Sequence, residues 1–247
     1  MKVPELGAAC HSERMPTDTS YHGELAEFFA GAGQEHPTNA YIDRPAMLAL
    51  IGDVAGQDVL DVGCGPGFYA AALADRGATV TALDGSADMV RIAERVSGER
   101  GTFFQHDLEQ PLPLPDASFD LAMMALVYHH LHARRQVLAE LRRVLRPGGR
   151  LLVSTTHPMS EQRWLGGSYY EGGRVEAPIG GPGNGFSISF ERMTVEQFVN
   201  ELLDGGFVLE RLLEPRPSAA LRDVDPARFE VLDVKATVLT VALRRPA

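Results

Sequence analysis

Two acidic residues and a cluster of glycines are the residues of this sequence best suited to do chemistry. Asp61 opens the segment 61–67, which reads DVGCGPG, and Asp84 follows further along the chain. Glycines lack the Cβ atoms that would keep a ligand away from the backbone, and a carboxylate at position 84 could accept hydrogen bonds from both hydroxyls of a ribose. The combination predicts a site for a nucleoside-bearing cofactor.

The glycine spacing distinguishes between classes of cofactor. The dinucleotide fingerprint is G-x-G-x-x-G, and its third glycine would fall at position 68, which is Phe68. Here the spacing is G-x-G-x-G, and Asp61 precedes it. An acid beside the turn suits a cationic amino-acid group better than a pyrophosphate, so a nicotinamide-dependent oxidoreductase is disfavoured.

Strands and helices alternate around these residues, as apolar periodicity and turn residues indicate. The predicted strands are 59–62, 79–83, 102–105, 119–125, 150–155, 207–213 and 235–243. The predicted helices are 24–30, 44–54, 68–76, 87–96, 133–145 and 194–204. This alternation predicts an α/β fold with a mostly parallel sheet and helices on both faces, and such sheets bind ligands at the carboxyl ends of their strands.

We expect a single domain built from four parts. Residues 1–55 would form an N-terminal helical cap, and residues 56–156 the cofactor-binding core. Residues 157–192 mix many glycines with aromatic residues, which predicts an insertion over the site. Residues 193–247 would supply a C-terminal helix and the final strands.

Charge and composition narrow the class of protein. The chain has 247 residues and a formal net charge of −10, which argues against a nucleic-acid partner because such partners need a basic face. Its two cysteines, Cys10 and Cys64, are too few for a disulfide framework or a four-cysteine zinc site. There is no signal-peptide-like start and no run of about 18 apolar residues, so we expect a cytoplasmic protein without a membrane span.

Five segments in this order resemble the successive motifs of class I S-adenosylmethionine (SAM)-dependent methyltransferases. They are 59–67, Asp84, 106–108 (HDL), 119–121 (FDL) and 145–149 (LRPGG). They are especially similar to the small-molecule branch that includes ubiquinone and menaquinone methyltransferases, and the resemblance covers roughly residues 40–156. It implies a Rossmann-like fold with a seven-stranded sheet and an antiparallel last strand. It also implies SAM as cofactor and S-adenosylhomocysteine (SAH) as product.

The resemblance further implies which residues hold the cofactor. Asp61 and the turn 63–67 would hold the methionine part, Asp84 the ribose, and Asp107 the adenine amino group. Met89 would lie against the adenine, although packing in the core is an equal alternative for it. The full set of candidates is Tyr41, Arg44, Asp61, Gly63, Cys64, Gly65, Gly67, Phe68, Asp84, Gly85, Met89, Asp107, Leu108, Met124 and Ala125.

Three histidines are candidates for a general base. By the resemblance, the segment 124–130 (MALVYHH) should lie beneath the methyl group, and either His129 or His130 could accept a proton at neutral pH. We prefer His130, which occupies the family's frequent histidine position. His157, at the end of the predicted strand 150–155, is the third candidate, and for all three a capping or packing role is the alternative. His129 and His130 are adjacent and no carboxylate cluster accompanies them, so we do not expect a metal site.

Aromatic residues of the predicted insertion suggest a place for the substrate. Trp164, Tyr169 and Tyr170 could form the wall of a substrate pocket, or they could pack the insertion onto the body of the domain.

The expected reaction is methyl transfer from SAM to O, N or C of a small organic acceptor, such as a quinone-like compound, a polyketide or another secondary metabolite. The Asn/Asp-Pro-Pro-aromatic motif of enzymes that methylate nucleic-acid amino groups is missing after residues 119–125. Two alternatives stay open: a peptide or protein methyltransferase, and a SAM-binding protein of this fold that no longer methylates. We expect a small-molecule substrate, no nucleic-acid or membrane partner, and a monomer or homodimer.

Overall fold

The computed structural model describes residues 21–179 and 186–247. Its first elements are α1 (Glu24–Glu35), a π-helical turn (Asn39–Asp43), α2 (Arg44–Ile51), β1 (Asp58–Val62), α3 (Phe68–Ala74), β2 (Thr79–Asp84), α4 (Ala87–Ser97) and β3 (Thr102–Gln105). The middle elements are β4 (Phe119–Ala125), a 3-10 turn (Tyr128–His130), α5 (Arg134–Val144), β5 (Leu145–Thr156), α6 (Pro158–Leu165), β6 (Gly173–Pro178) and β7 (Ser187–Arg192). The last are α7 (Val195–Asp204), β8 (Val208–Leu213), α8 (Ala219–Val224), α9 (Pro226–Asp233) and β9 (Val238–Arg244).

Seven strands form the main sheet, in the order β3-β2-β1-β4-β5-β9-β8. The pairs among β1 to β5 are parallel, whereas β9 runs antiparallel to both of its neighbours, β5 and β8. This confirms the predicted Rossmann-like sheet with an antiparallel last strand. The strand order reverses between β1 and β4, and in such sheets a reversal leaves a crevice at the carboxyl ends of the strands.

The central strands are covered on both faces, as their apolar sequences predict. Alternate residues of β1 belong to different core clusters, since successive side chains of a strand point to opposite sides. Leu60 packs in a cluster that includes Leu138 of α5 and Phe198 of α7. Val59 packs in another, with Met47 of α2 and Leu73 of α3. The sheet is therefore a rigid platform for whatever its strand ends carry.

The boundaries of some elements differ from the prediction. The predicted helix 44–54 ends at Ile51, because Gly52 takes a φ of +76° that no helix continues. The predicted strand 150–155 is longer: α5 passes directly into β5 at Leu145. The Pro-Gly-Gly sequence within it is typical of a helix end, but Gly148 N donates to Arg245 O and Arg245 N donates to Gly149 O. These bonds keep the segment extended against the chain that follows β9.

Elements absent from the sequence prediction occupy the second half of the chain. Helix α6 begins with Pro158, and the ring of His157 accepts a hydrogen bond from Met159 N at 3.1 Å as its N-terminal cap. Strands β6 and β7 pair antiparallel as a separate two-stranded sheet, and α8 and α9 precede β9. The dense glycines of 157–192 concealed the hairpin, since glycine disfavours regular strands. No helix in the described ranges is both long and apolar enough to cross a membrane.

Candidate functional site

The carboxyl ends of β1, β2 and β4 border one cavity at the reversal of the strand order. Asp61 lies on β1, Asp84 ends β2, Ala125 ends β4, and all three line the cavity. The other lining residues come from the turns after the strands, from helices α3 and α4, from the N-terminal segment that ends in α2, and from the β6–β7 hairpin. They are Tyr21, Phe29, Gly33, Asn39, Asp43, Arg44, Gly63, Cys64, Gly65, Pro66, Phe68, Tyr69, Gly85, Met89, Asp107, Leu108, Glu109, Leu126, Val127, His130, Leu131, His132, Arg174, Ile188 and Ser189.

The glycine turn after β1 brings its backbone to the edge of this cavity. The amides of Gly63 and Cys64 both donate to the carbonyl of Leu83, at 2.7 and 3.0 Å, and so tie the turn to β2. Gly63 has a φ of +74°, and a Cβ atom added there would lie 2.5 Å from Cγ2 of Val127. Position 63 therefore requires glycine for both conformation and space.

Two backbone amides fix the carboxylate of Asp84. Gly65 N donates to Oδ2 at 2.9 Å, and Ser86 N donates to Oδ1 at 2.8 Å. Burial raises the pKa of Asp84, and the two amides oppose that rise by stabilising the charged form. The carboxylate is thus oriented at the cavity before any ligand binds.

Asp61 is a buried acid whose hydrogen bonding is incomplete. Its residue is 1% exposed, and Oδ2 has no hydrogen-bond partner among the residues described by the structure. Burial, and to a lesser degree the charge of Asp84, raises the pKa of Asp61 to about 7. A cationic ligand would satisfy this side chain, because a nearby positive charge favours the carboxylate.

The π-helical turn and the start of α2 add a second acid and a cation. Asp43 is 1% exposed, and the hydroxyl of Tyr69 donates to its Oδ2 at 2.6 Å. The guanidinium of Arg44 lies over the ring of Phe68, with Cζ 4.7 Å from the ring centroid. Its Nε is buried and has no hydrogen-bond partner in the described part of the chain. Sequence reasoning missed Asp43, because a single π-helical turn has no recognisable spacing. It missed Tyr69 of α3, because its role depends on a contact with this distant segment.

Asp107, Leu108 and Met89 lie on the part of the cavity beyond β2. Asp107 accepts a hydrogen bond from Glu109 N at 3.0 Å, which shapes the turn after β3. Leu108 and Met89 are 5% and 2% exposed, and they give this part of the cavity an apolar surface. Met89 also packs with Ala26 of α1, so it belongs to a core cluster and lines the cavity as well.

The residues before and within α1 cover the cavity near Asp84. The carbonyl of Tyr21 accepts from Ser86 Oγ at 2.5 Å, and its ring lies 4.6 Å from that of Phe29, centroid to centroid. Burial, together with the negative charge of Asp84, raises the pKa of the Tyr21 hydroxyl. Neither aromatic residue was a sequence candidate, because a covering residue has no fixed distance from the glycine turn.

Of the three histidine candidates, His130 is the one that lines the cavity. Its Nδ1 lies 3.0 Å from the carbonyl oxygen of Ser189. Because a carbonyl only accepts, Nδ1 carries the proton and Nε2 carries the lone pair. Burial lowers the pKa of His130 to about 4, so the ring is neutral at neutral pH.

His129 and His157 have structural surroundings outside the cavity lining. His129 is buried, with Nδ1 3.0 Å from Thr155 Oγ1, and burial holds its pKa well below the usual range. His157 caps α6 through Nδ1, and its Nε2 lies 2.8 Å from Oε1 of Glu214. The capping and packing alternatives describe what these two side chains do in the structure.

The predicted substrate wall lies away from the cavity. Trp164 stacks on Phe190 and is 48% exposed, and Tyr170 is 82% exposed. The hydroxyl of Tyr169 accepts from Val195 N at 2.9 Å, at the start of α7. Trp164 and Tyr169 thus pack within the segment around α6 and β7, and none of the three aromatic residues lines the cavity.

Three of the predicted cofactor residues also lie outside the lining. Tyr41 accepts from Ser218 N through its backbone carbonyl, at 2.7 Å. Gly67 packs against α4, where an added Cβ would lie 2.9 Å from Cβ of Ala93. Met124 is fully buried in a core cluster. Residues close to these three in the sequence line the cavity, whereas these three pack behind the lining.

Comparison with known proteins gives a consistent family. Residues 60–153 match the family model described as a methyltransferase domain. The chain is 37% identical over 147 residues to a malonyl-[acyl-carrier protein] O-methyltransferase of Pseudescherichia vulneris, covering 57% of this chain and 58% of that one. It is 36% identical over 116 residues to a demethylmenaquinone methyltransferase of Tropheryma whipplei, covering 47% and 48%. It thus spans about half the length of these curated relatives.

A solved structure extends the likeness over most of the chain. A SAM-dependent methyltransferase from Mesorhizobium loti superposes with a TM-score of 0.65 at 28% identity, covering 81% of this chain and 96% of that one. Residues 60–153 therefore form a methyltransferase domain, and the strand order, the acidic glycine turn and the Mesorhizobium loti structure agree with the class I SAM-dependent type. SAM is the cofactor of this domain.

The cavity residues fit the amino-acid end of SAM, which carries an ammonium and a carboxylate. Asp61 Oδ2 is a buried acceptor without a partner, and Arg44 Nε is a buried donor without one among the described residues. A zwitterionic ligand would supply the missing partner of each, which offsets the cost of burying unsatisfied polar atoms. Asp84 and the apolar surface of Met89 and Leu108 suit a ribose and a purine.

Proposed function

We propose that this protein catalyses methyl transfer from SAM to a small organic acceptor bound in the same cavity. The observation that carries the proposal is the pair of unsatisfied buried groups, Asp61 Oδ2 and Arg44 Nε, beside the fixed carboxylate of Asp84. Buried polar groups are usually paired, so a buried acid and a buried guanidinium nitrogen without partners on one cavity favour a polar ligand there.

We assign the parts of the cofactor to these residues. Asp61, the turn 63–67 and Arg44 would hold the methionine part, Asp84 the ribose, and Asp107 the adenine amino group. Tyr21 and Phe29 would cover the bound nucleoside. We keep the four-part division of the chain as part of this proposal, because residues of the β6–β7 hairpin border the cavity from within the segment 157–192.

SAM supplies a methyl group already activated by a sulfonium, so the protein mainly orients the acceptor and excludes water. The apolar side chains that would orient the acceptor and exclude water are those of Val127, Leu131 and Ile188. His130 is neutral, and it would act as a hydrogen-bond acceptor through Nε2 rather than as a strong base. With a pKa of about 4, it holds a proton poorly at neutral pH. The acceptor must therefore be readily ionised or already nucleophilic.

The relatives support an organic acceptor. By their names, one acts on a malonyl group carried by a protein and another on demethylmenaquinone. These relatives match about half of this chain, and the family model covers residues 60–153. The residues that would choose the acceptor here, on β6 and β7, lie beyond the family-model match. We therefore take from them the reaction class and not the acceptor.

The first test is calorimetric titration with SAM and SAH. We expect both to bind the wild type, and Asp84→Ala to weaken SAH binding by about a hundredfold through loss of charged hydrogen bonds to the ribose. Asp75→Ala is the matched control, because Asp75 is an exposed acid paired with Arg100 away from the cavity. Failure of both ligands to bind the wild type would contradict the proposal.

Turnover separates the proposal from its alternatives. Incubation with methyl-labelled SAM and pooled small acceptors, or with basic peptides, should label the small-molecule fraction. Label in the peptides alone would favour a peptide methyltransferase. Tight SAH binding without any labelled product would favour a SAM-binding protein that no longer methylates.

A further inference from the structure

A single arginine of the β6–β7 hairpin borders the cavity with an unused donor. Arg174 donates from Nε to Ser189 Oγ at 2.9 Å and from Nη2 to the carbonyl of His130 at 2.9 Å. Nη1 is buried and has no hydrogen-bond partner among the described residues. Two of the three nitrogens therefore fix the guanidinium, and the third is left available.

This guanidinium keeps its positive charge, and no carboxylate accepts its described hydrogen bonds. Burial lowers the pKa of Arg174, and the nearby charges of Glu191 and Glu109 oppose that change, but an arginine stays protonated at neutral pH. Leaving a charged donor buried without a partner is unfavourable. An anionic ligand oxygen would relieve this cost, and the fixed planar group is preorganised to receive it.

Arg174 lies beside the candidate catalytic histidine. The carbonyl oxygen of Ser189 lies 3.0 Å from His130 Nδ1 and 3.4 Å from Arg174 Nη2, so these side chains meet at one atom. The cofactor cradle at Asp61 and Arg44 is built on other elements, β1 and α2. An anion at Arg174 would therefore lie on the side of the cavity bordered by the hairpin.

We propose that Arg174 binds a carboxylate of the methyl acceptor, so that the substrate of this cavity is a small organic acid. This inference rests on the proposed function and specifies its substrate class. The carboxylate could be the group that is methylated, or it could anchor an acceptor methylated elsewhere. In the first case a C–O bond to the methyl carbon forms as the C–S bond breaks, the electron pair goes to sulfur, and no proton has to leave. That balance agrees with a neutral, weakly basic His130.

The test compares acids with their uncharged counterparts on the SAH-loaded protein. Benzoate, phenylacetate, octanoate and monomethyl malonate would each be titrated calorimetrically beside the corresponding primary amide. We expect at least one acid to bind about tenfold to a hundredfold more tightly than its amide, the range of a hydrogen bond to a charged group. If no acid is preferred over its amide, the proposal is overturned.

Variants assign the preference to Arg174. Arg174→Gln should abolish the preference for an acid over its amide, while the affinity for SAH changes less than about twofold. Arg174→Lys should retain part of that preference because the positive charge remains. Arg192→Gln is the matched control: Arg192 lies on the same hairpin and also donates to two backbone carbonyls, those of Gly166 and Ser168, outside the cavity lining. Preference that survives Arg174→Gln, or loss of SAH binding in that folded variant, would contradict the proposal.

Two further readouts complete the design. The comparison of acids with amides on the wild type decides the matter even if Arg174→Gln fails to fold. For an acid that binds, the methylated product distinguishes an ester from methylation at another atom. Failure of SAH to bind the wild type would refute the proposed function, whereas SAH binding without a preference for acids refutes only this inference.

Discussion

At the scale of single residues, the ionisation of Asp61 makes the stability of the folded protein depend on pH. Its pKa is raised to about 7 in the folded protein by burial, against 3.8 for an ordinary aspartate. The folded state therefore binds a proton that the unfolded state releases between these values. This contribution to stability is fully present below about pH 4 and is lost as the pH rises through 7.

We expect the ligand-free wild type to lose stability relative to Asp61→Asn as the pH rises from 4 to 7, by about 1.4 kcal/mol per pH unit. The asparagine variant has no charge to bury at that position. Urea unfolding of both proteins at several pH values gives the difference directly. The same titration on Asp75→Asn, which removes an exposed carboxylate, should run parallel to the wild type. A constant difference between wild type and Asp61→Asn would refute this account.

Bound SAH should offset the destabilisation that the ionised Asp61 causes in the ligand-free protein. An ammonium beside Asp61 favours the carboxylate, so SAH affinity should rise from pH 6 to pH 8 in the wild type and change less in Asp61→Asn. Calorimetric titration at both pH values measures it. Equal pH dependence in the two proteins would place the ammonium elsewhere.

At the scale of elements, a polar cluster joins the 3-10 turn, α5 and α7. Arg134 donates to both carboxylate oxygens of Glu201, at 2.7 and 3.1 Å, and the hydroxyl of the fully buried Tyr128 donates to Oε2 at 2.9 Å. This cluster holds the turn that carries His130. Its bidentate geometry makes it stronger than an ordinary surface ion pair.

We expect Glu201→Gln to lower the free energy of unfolding by about 1–3 kcal/mol, because Tyr128 and Arg134 then share a neutral, poorer acceptor. Glu196→Gln, an exposed change on the same helix, should stay within about 0.5 kcal/mol of the wild type. Chemical denaturation measures both. Indistinguishable values for the two variants would show that the cluster does not anchor the turn.

Sequence reasoning anticipated the elements whose physics is local. The strands around Asp61 and Asp84 are short apolar runs, and the turn between β1 and α3 needs glycine, so both their place and their chemistry could be predicted. The β6–β7 hairpin could not, because its pairing lies across a glycine-rich stretch without alternation. Arg174, Asp43 and Tyr21 were missed for a related reason. Their roles depend on contacts between segments far apart in the chain, which periodicity does not encode.

At the scale of the whole molecule, several arginines of α5 and β5 are paired with acids. Arg134 pairs with Glu201, Arg143 with Asp116, and Arg146 bridges Asp58 and Asp120. These pairs remove part of the positive charge of the arginine-rich stretch of α5 and early β5. The formal net charge of −10 opposes the electrostatic attraction that drives nucleic-acid binding.

We expect no binding to labelled duplex DNA or RNA at about 10 µM protein and about 0.15 M salt. Fluorescence anisotropy measures this, and repetition at about 0.02 M salt gives electrostatic binding its best chance. Saturable binding that weakens steadily with added salt would overturn the expectation.

The place of β9 in the sheet has a consequence for synthesis on the ribosome. Strand β9 lies between β5 and β8 in the sheet. Neither β5 nor β8 can therefore pair with it until residues 238–244 have left the exit tunnel. Until then the nascent chain exposes the open edge of β5, and β8 has no strand to pair with. Unpaired edges of this kind invite aggregation. Nascent chains stalled before Val238 should therefore depend on chaperones, even though every residue lining the cavity has already been translated.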